Sequence, residues 1–295
     1  MATYILSAFS DEAAKSLDGQ IAALHRNGIR FMETRFIDDK PVYLMEPYEL
    51  DAMRRKLDEN GIAVSSVATF IGKKPITSVF EESMEEMKKA VRAAHILGAR
   101  YIRLFSFYVE PSEYELYRDE VMMRMEKLTE YALLHDVIPC HENESGIYGQ
   151  DPAQVGDLYR SVPGLGGIFD AANYLAHGDD VIDGLLETMP ALEYLHIKDA
   201  FAGEDRVIVP VGEGDGRYAE VLAMTDAAVD GPVFLTLEPH LMEFGGYASI
   251  DKLALKGAHV YASPDEAFDA AADALRTLLS NMGYIEGEYR TWIRK

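Results

Sequence analysis

The feature that most constrains this chain is an alternation repeated eight times: a short run of β-branched and aromatic residues, then a longer segment of helical period. Tyr4–Ser10 leads to a helix over about 11–27, stopped by Gly28, and Phe31–Phe36 to one over about 47–60, closed by Gly61. Val64–Phe70 precedes a helix over about 80–97, ended by Gly98, and Tyr101–Phe107 one over about 112–135. Val137–Asn143 leads to about 152–161, where Asp151-Pro152 reads as a cap and first-turn proline. Gly167–Asn173 leads to about 180–188, Leu192–Asp199 through a long loop to about 218–229, and Val233–His240 to about 264–282.

Eight strands over 295 residues stand about 37 residues apart, room for a strand, a helix and two loops. Parallel neighbours need such helical crossovers, and eight units close into an α/β (β/α)8 TIM barrel. An open doubly wound sheet is the competing fold, but the first turn, Ser7–Ala13, lacks the glycines of a dinucleotide-binding turn. No Pro-, Gly- or Ser-rich linker interrupts the pattern, so residues 1–295 are expected to form a single domain.

Lys and Arg number 28 against 50 Asp and Glu, a formal charge of −22. That balance argues against nucleic acid and against anionic membranes, because both are bound through Lys and Arg. The lone Cys140 cannot form an internal disulfide, and no apolar stretch approaches the roughly 20 residues that cross a bilayer. Met1–Asp11 lacks the basic and apolar segments of a secretion signal. A cytoplasmic protein is expected.

In a (β/α)8 barrel chemistry sits where strands end at their C-terminal side. Strand five ends His141-Glu142-Asn143-Glu144, strand six Phe169-Asp170, strand seven His196-Ile197-Lys198-Asp199 and strand eight Glu238-Pro239-His240. Strand two carries Glu33 and Arg35; strands one, three and four end on Ser10, Thr69 and Ser106. Glu142, Asp170, His196 and Glu238 would converge on the axis, where three carboxylates repel unless a cation neutralises them. Three oxygen ligands and one imidazole suit one divalent ion, Mn²⁺ or Mg²⁺ first, with Co²⁺, Zn²⁺ or Fe²⁺ as alternatives. Lys198 shares a strand face with His196 and is a candidate to polarise a substrate oxygen, against a plain pairing with a nearby Glu. His240 is a candidate substrate contact beside the site.

FDAAN (169–173), HIKDA (196–200), PVGEGDGRY (210–218), LEPH (237–240) and HEN (141–143) resemble the xylose isomerase-like sugar isomerase/epimerase superfamily. The resemblance implies the same four metal ligands, with Glu142 and Glu238 doubling as an acid/base pair on opposite faces of the substrate. It implies a metal-dependent isomerase or epimerase of a small sugar, sugar phosphate or keto-acid, working through an enediolate. Where the epimerases place a substrate-contacting histidine three residues after the aspartate ligand, this chain has Asn173, which can hydrogen-bond but not titrate. Arg206 is the candidate for an arginine contact after the histidine ligand.

A metal-dependent dehydratase of a keto-polyol such as an inosose is the main alternative. An apurinic-site endonuclease is more remote, since Thr69, Ser106 and Asn173 stand where that chemistry has extra histidines. The expected partner is a small carbohydrate, with no nucleic acid or membrane and with homo-oligomerisation left open. Gly212–Gly216 looks like a phosphate cradle but lacks the lysine and Ser/Thr of a P-loop, and reads as a flexible loop. His141 should point outward. Phe9, Phe36, Phe70, Phe105 and Phe107 are read as core or pocket wall, and the Tyr284–Lys295 tail as a cover for the barrel bottom or a neighbouring subunit.

Overall fold

The structure is a computed structural model and describes residues 1–203, 207–245, 247, 255–287 and 291–294. Its strands are β1 (Ala2–Ala8), β2 (Phe31–Thr34), β3 (Ala63–Ala68), β4 (Tyr101–Leu104), β5 (Ile138–Glu142), β6 (Gly166–Asp170), β7 (Leu192–Ile197) and β8 (Gly231–Leu237). Each pairs in parallel with the next, and β8 closes on β1 in register from Ala2↔Gly231 to Ala8↔Leu237. The sheet is therefore a closed (β/α)8 barrel. Around it lie α1 (Leu17–Arg26), α2 (Pro47–Glu59), α3 (Phe80–Leu97), α4 (Tyr114–Leu133), α5 (Pro152–Ser161), α6 (Ala171–Leu175), α7 (Val181–Thr188), α8 (Tyr218–Ala228) and α9 (Pro264–Asn281). No helix among the described residues is long and apolar enough to cross a membrane.

The helix ends follow local chemistry. Gly98 takes the left-handed conformation after α3 (φ 71°), and Glu46 and Glu49 form a reciprocal capping box at the start of α2. Asp180 caps α7 through the amides of Ile182 and Asp183. Asp151 precedes Pro152 at the start of α5, but its carboxylate accepts from the Gln150 side chain instead of capping.

All eight strands stop one to three residues short of the sequence pattern, β4 at Leu104 rather than Phe107, and two of these ends have a cause in local contacts. β1 stops at Ala8, and Ser10–Glu12 forms a buried 3₁₀ turn that carries Asp11 and Glu12 to Arg35. The helix over 11–27 accordingly begins only at Leu17, after the Ser16 cap. β6 stops at Asp170 because its carboxylate accepts the Asn173 amide and starts α6 there.

Side chains of a strand alternate between faces, so each barrel strand fills the axis with every second residue. Tyr101, Cys140, Ile168 and Tyr194 form an apolar floor with Ile138 and Phe234 packed on it. Two residues further along the same strands stand Arg103, Glu142, Asp170 and His196, all buried. The step from oil to charge is one pleat.

The chain's tail closes the other end of the barrel. β9 (Tyr284–Glu286) and β10 (Thr291–Arg294) form an antiparallel hairpin, and β10 pairs with β1 at Tyr4↔Trp292 and Ile5↔Thr291. β2 meets β1 only from Ser7↔Phe31 onward, which leaves that stretch of the β1 edge to the hairpin. Trp292 is buried, and Tyr284 lies 5.2 Å from Tyr4, ring to ring.

Near the mouth, the loop after β3 passes so close to β4's end that a Cβ on Gly72 would lie 1.9 Å from the Phe105 carbonyl oxygen, at φ +87°. Gly72→Ala is expected to cost about 2–4 kcal/mol of stability from overpacking and positive-φ strain together. Urea unfolding checks this, and an unchanged midpoint would mean that the loop has room to retreat.

Candidate active site

Glu142 ends β5, Asp170 ends β6, His196 lies one residue inside the end of β7, and Glu238 follows β8. One ligand-capable atom from each lies within 4.8 Å of all the others, and all four residues are buried. His196 Nδ1 is 2.9 Å from Glu142 Oε1 and 3.2 Å from Glu238 Oε2, so the two glutamates flank one imidazole nitrogen. Its other nitrogen, Nε2, is 3.2 Å from Glu33 Oε2. Glu33 Oε1 accepts from Tyr194 Oη at 2.9 Å, and Ser66 Oγ is 3.0 Å from that hydroxyl. These hydrogen bonds hold the ring with Nδ1 toward Glu142 and Glu238.

Two arginines hold the outer oxygens of the glutamates. Arg35 Nη1 donates to Glu238 Oε1 at 2.8 Å, while its Nε and Nη2 reach Asp11 (2.9 and 3.2 Å) and Nη2 also reaches Glu12 (3.1 Å). Arg103 Nη1 lies 3.1 Å from Glu142 Oε2. The Phe9 ring lies against both guanidiniums, 4.3 Å from the Arg35 carbon and 5.2 Å from that of Arg103. Lys198 Nζ stands 2.6 Å from Asp170 Oδ2 and 3.4 Å from Glu238 Oε2.

Six buried carboxylates (Asp11, Glu12, Glu33, Glu142, Asp170, Glu238) thus face three fixed cations (Arg35, Arg103, Lys198). The surplus of negative charge is visible in the acidities. Burial, with Glu238 and Asp11 nearby, pushes Glu12 up to about 8 despite Arg35. Burial likewise raises Asp170 to about 6, against the pull of Lys198. Burial would lower the His196 pKa, but Glu142 and Glu33 drive it well above the usual imidazole value. Glu238 is held well below the carboxylate range because Lys198 and His196 outweigh its burial, and Glu142 is lowered by His196 and Arg103 in the same way.

This is a donor set that a divalent ion fits. Three carboxylates and an imidazole oriented by a carboxylate on its far nitrogen form a common ligand arrangement. Two charges of the right sign would relieve most of the surplus. Asp170 Oδ2 is paired with Lys198 by charge but accepts no well-aligned hydrogen bond from any described residue.

The remaining candidates are placed as follows. Asn173 is buried, with its Nδ2 on the Asn143 carbonyl oxygen (2.9 Å) and its backbone amide on Asp170. Asn143 in turn exchanges two 2.9 Å hydrogen bonds with the Asp170 backbone and locks β5 to β6. The His240 amide donates to Glu12 Oε2 (2.8 Å), and its ring packs against Phe244 and Tyr247, beside the four-residue cluster rather than in it. Arg206 lies outside the described residues. His141 is buried on the helix side, its Nε2 3.0 Å from Ser106 Oγ, and burial lowers its pKa to about 3. Phe105 carries Lys73 over its ring at 4.6 Å, and Phe36 packs on Phe70.

The glycine-rich loop after β7 is not a free loop. Its amides from Gly212, Gly214 and Gly216 all donate to the Asp199 carboxylate, at 2.8, 3.2 and 2.9 Å, together with the Ala200 amide. A Cβ on Gly214 would lie 2.4 Å from Asp199 Oδ1. The cradle the sequence suggested is real in shape, but the anion in it is the protein's own.

A family model described as xylose isomerase-like TIM barrel matches residues 21–277. No functionally curated protein matches the sequence. Among solved structures, the IOLI protein with a bound zinc atom superposes with a TM-score of 0.72 at 15% identity, covering 94% of this chain and 99% of its own. The D-allulose 3-epimerase from Methylomonas sp. gives 0.71 at 16%, covering 94% and 100%. The probable 3-DHS dehydratase AsbF from Bacillus anthracis gives 0.68 at 16%, covering 92% and 98%. At such identities the likeness is one of fold.

Asp199→Ala should cost about 3 kcal/mol, because it orphans several amides that now hydrogen-bond to a carboxylate. Limited proteolysis checks the local effect: cleavage within 210–217 should accelerate, and a cleavage rate equal to wild type would mean that Asp199 does not hold the loop.

Proposed function

The chain belongs to the xylose isomerase-like TIM-barrel family, and from that membership and the site geometry we propose that it is a divalent-metal-dependent isomerase or epimerase of a small sugar, sugar phosphate or keto-acid. The observation that carries the reading is the convergence of Glu142, Asp170, His196 and Glu238, from four successive strands, with ligand-capable atoms within 4.8 Å of one another. These four would hold the ion. When bound, it would supply Lewis-acid stabilisation of the negative charge that builds on vicinal substrate oxygens during proton abstraction.

The protein's own groups divide the proton work. Glu142 and Glu238 are held ionised by their cation neighbours, so each is competent to take a proton from substrate carbon. Both have an oxygen within 3.2 Å of His196 Nδ1, and they approach it from separate strands of the barrel wall, β5 and β8. A proton removed by one glutamate and returned by the other to the opposite face inverts a carbinol next to a carbonyl. A proton carried between adjacent carbons by one of them isomerises. Arg35 and Arg103 each pair with one oxygen of a glutamate, which holds the orientation of both carboxylates.

Incubation of the Mn²⁺-supplied protein with a panel of keto- and aldo-sugars in deuterated water tests the reading. Exchange of a carbon-bound proton without loss of water supports it; a dehydrated product would reassign the same residues to a lyase. Glu142→Gln and Glu238→Gln should each lower kcat by a factor of about 10²–10⁴ with a much smaller change in KM, and near wild-type turnover by either would sink the two-base scheme.

The ion has a separate readout. Mn²⁺ at about a hundredfold over its Kd should raise the melting midpoint by roughly 5 °C. Asp170→Asn should remove most of that shift, and a full shift in this variant would exclude Asp170 as a ligand.

A further inference from the structure

The three fixed cations of the site are not equivalent. Arg35 and Arg103 grip Glu238 Oε1 and Glu142 Oε2, the oxygens turned away from the imidazole. Lys198 instead holds the oxygens that a metal would need. Asp170 Oδ1 faces the Asn173 amide at 3.3 Å, so Oδ2 is its oxygen left for the axis, and Lys198 Nζ is 2.6 Å from it. The same ammonium is 3.4 Å from Glu238 Oε2, which lies 3.2 Å from His196 Nδ1. Lys198 is 4% exposed, and Asp170 and Glu238 are buried as deeply, so water screens little of what happens between them.

An ion ligated by Asp170 Oδ2 and Glu238 Oε2 would share both oxygens with a like charge. In a poorly screened interior the two cations repel strongly, and each carboxylate gains less from the second cation than from the first. Resting on the reading of this site as a divalent-metal centre, we propose that Lys198 is an exchangeable counter-cation: its ammonium neutralises Asp170 and Glu238 in the metal-free protein, and a divalent ion expels it from Asp170 Oδ2.

The exchange moves no proton and breaks no covalent bond. One positive charge leaves the two oxygens and two arrive. A lysine suits this role because it is a point charge on a flexible stem with no fixed fork to unlock. The displaced ammonium stays tethered to the site by its stem.

Calorimetric titration of Mn²⁺ into metal-stripped wild type, Lys198→Met and Lys198→Arg tests the exchange. Lys198→Met should bind Mn²⁺ about 10- to 100-fold more tightly than wild type, while Lys198→Arg should show no such gain. A crystal structure of the Mn²⁺-loaded wild type is the second arm and needs no variant to fold. In it Lys198 Nζ should lie beyond about 3.5 Å from Asp170 Oδ2. If wild type binds Mn²⁺ but Lys198→Met binds equally or more weakly, or if the ammonium still contacts Asp170 Oδ2 with the ion in place, the exchange is wrong and the metal centre stands. If neither wild type nor Lys198→Met binds Mn²⁺, the metal reading falls and takes the exchange with it.

Discussion

A parallel sheet that closes on itself has one interior, and the pairing of β8 with β1 obliges every strand to supply it with alternate side chains. The rest of the molecule is arranged around that demand. Toward the N-terminal ends the interior is filled by Tyr101, Cys140, Ile168 and Tyr194, and toward the C-terminal ends the same strands present Arg103, Glu142, Asp170 and His196. The floor is ordinary hydrophobic packing. The layer above it is costly, because ion pairs taken out of water seldom outweigh their own desolvation. What it adds to stability therefore does not account for its presence.

The pattern of eight strand–helix units was legible in the sequence because periodicity is a local property, and α3 and α5 run over the very segments the pattern marks. The four converging residues were legible for a related reason: acidic residues and a histidine at successive strand ends are unusual in a run of apolar strands. What was not legible depends on where strands stop. Taking the fourth strand through Phe107 put Ser106 at its end and hid Arg103, which lies on the inward face beside Tyr101 in the four residues that do form β4. Taking the first helix from Asp11 hid the buried turn that delivers Asp11 and Glu12 to Arg35.

The glycine-rich loop shows a different limit. A row of amides free of side chains is what an anion needs, whether that anion arrives from solvent or is covalently part of the chain. Sequence spacing specifies the cradle and not its occupant. Only the fold places the Asp199 carboxylate, two residues after the end of β7, among the amides of Gly212, Gly214 and Gly216. The consequence reaches the site, because Asp199 adjoins Lys198, so anchoring the loop also anchors the backbone from which the lysine projects.

Glu12, Glu238 and His240 form a second group whose ligand-capable atoms lie within 4.8 Å of one another. Electrostatics distinguishes it from the first. Arg35 spans it, with Nη1 on Glu238 Oε1 and Nη2 on Glu12 Oε1, and is held from behind by both oxygens of Asp11. Its guanidinium also has the Phe9 and Phe244 rings at 4.3 and 4.9 Å. To displace it, an ion would have to break several charge-assisted hydrogen bonds and two cation–π contacts at once, leaving a buried arginine unpaired. Among the described residues, two carboxylate oxygens hold the Lys198 ammonium. Glu238 therefore sits between a cation that the fold has locked and one that it has left movable, one on each oxygen. The locked side keeps permanent charge against one oxygen of Glu238, and in the proposed exchange the other oxygen is the one that changes partners.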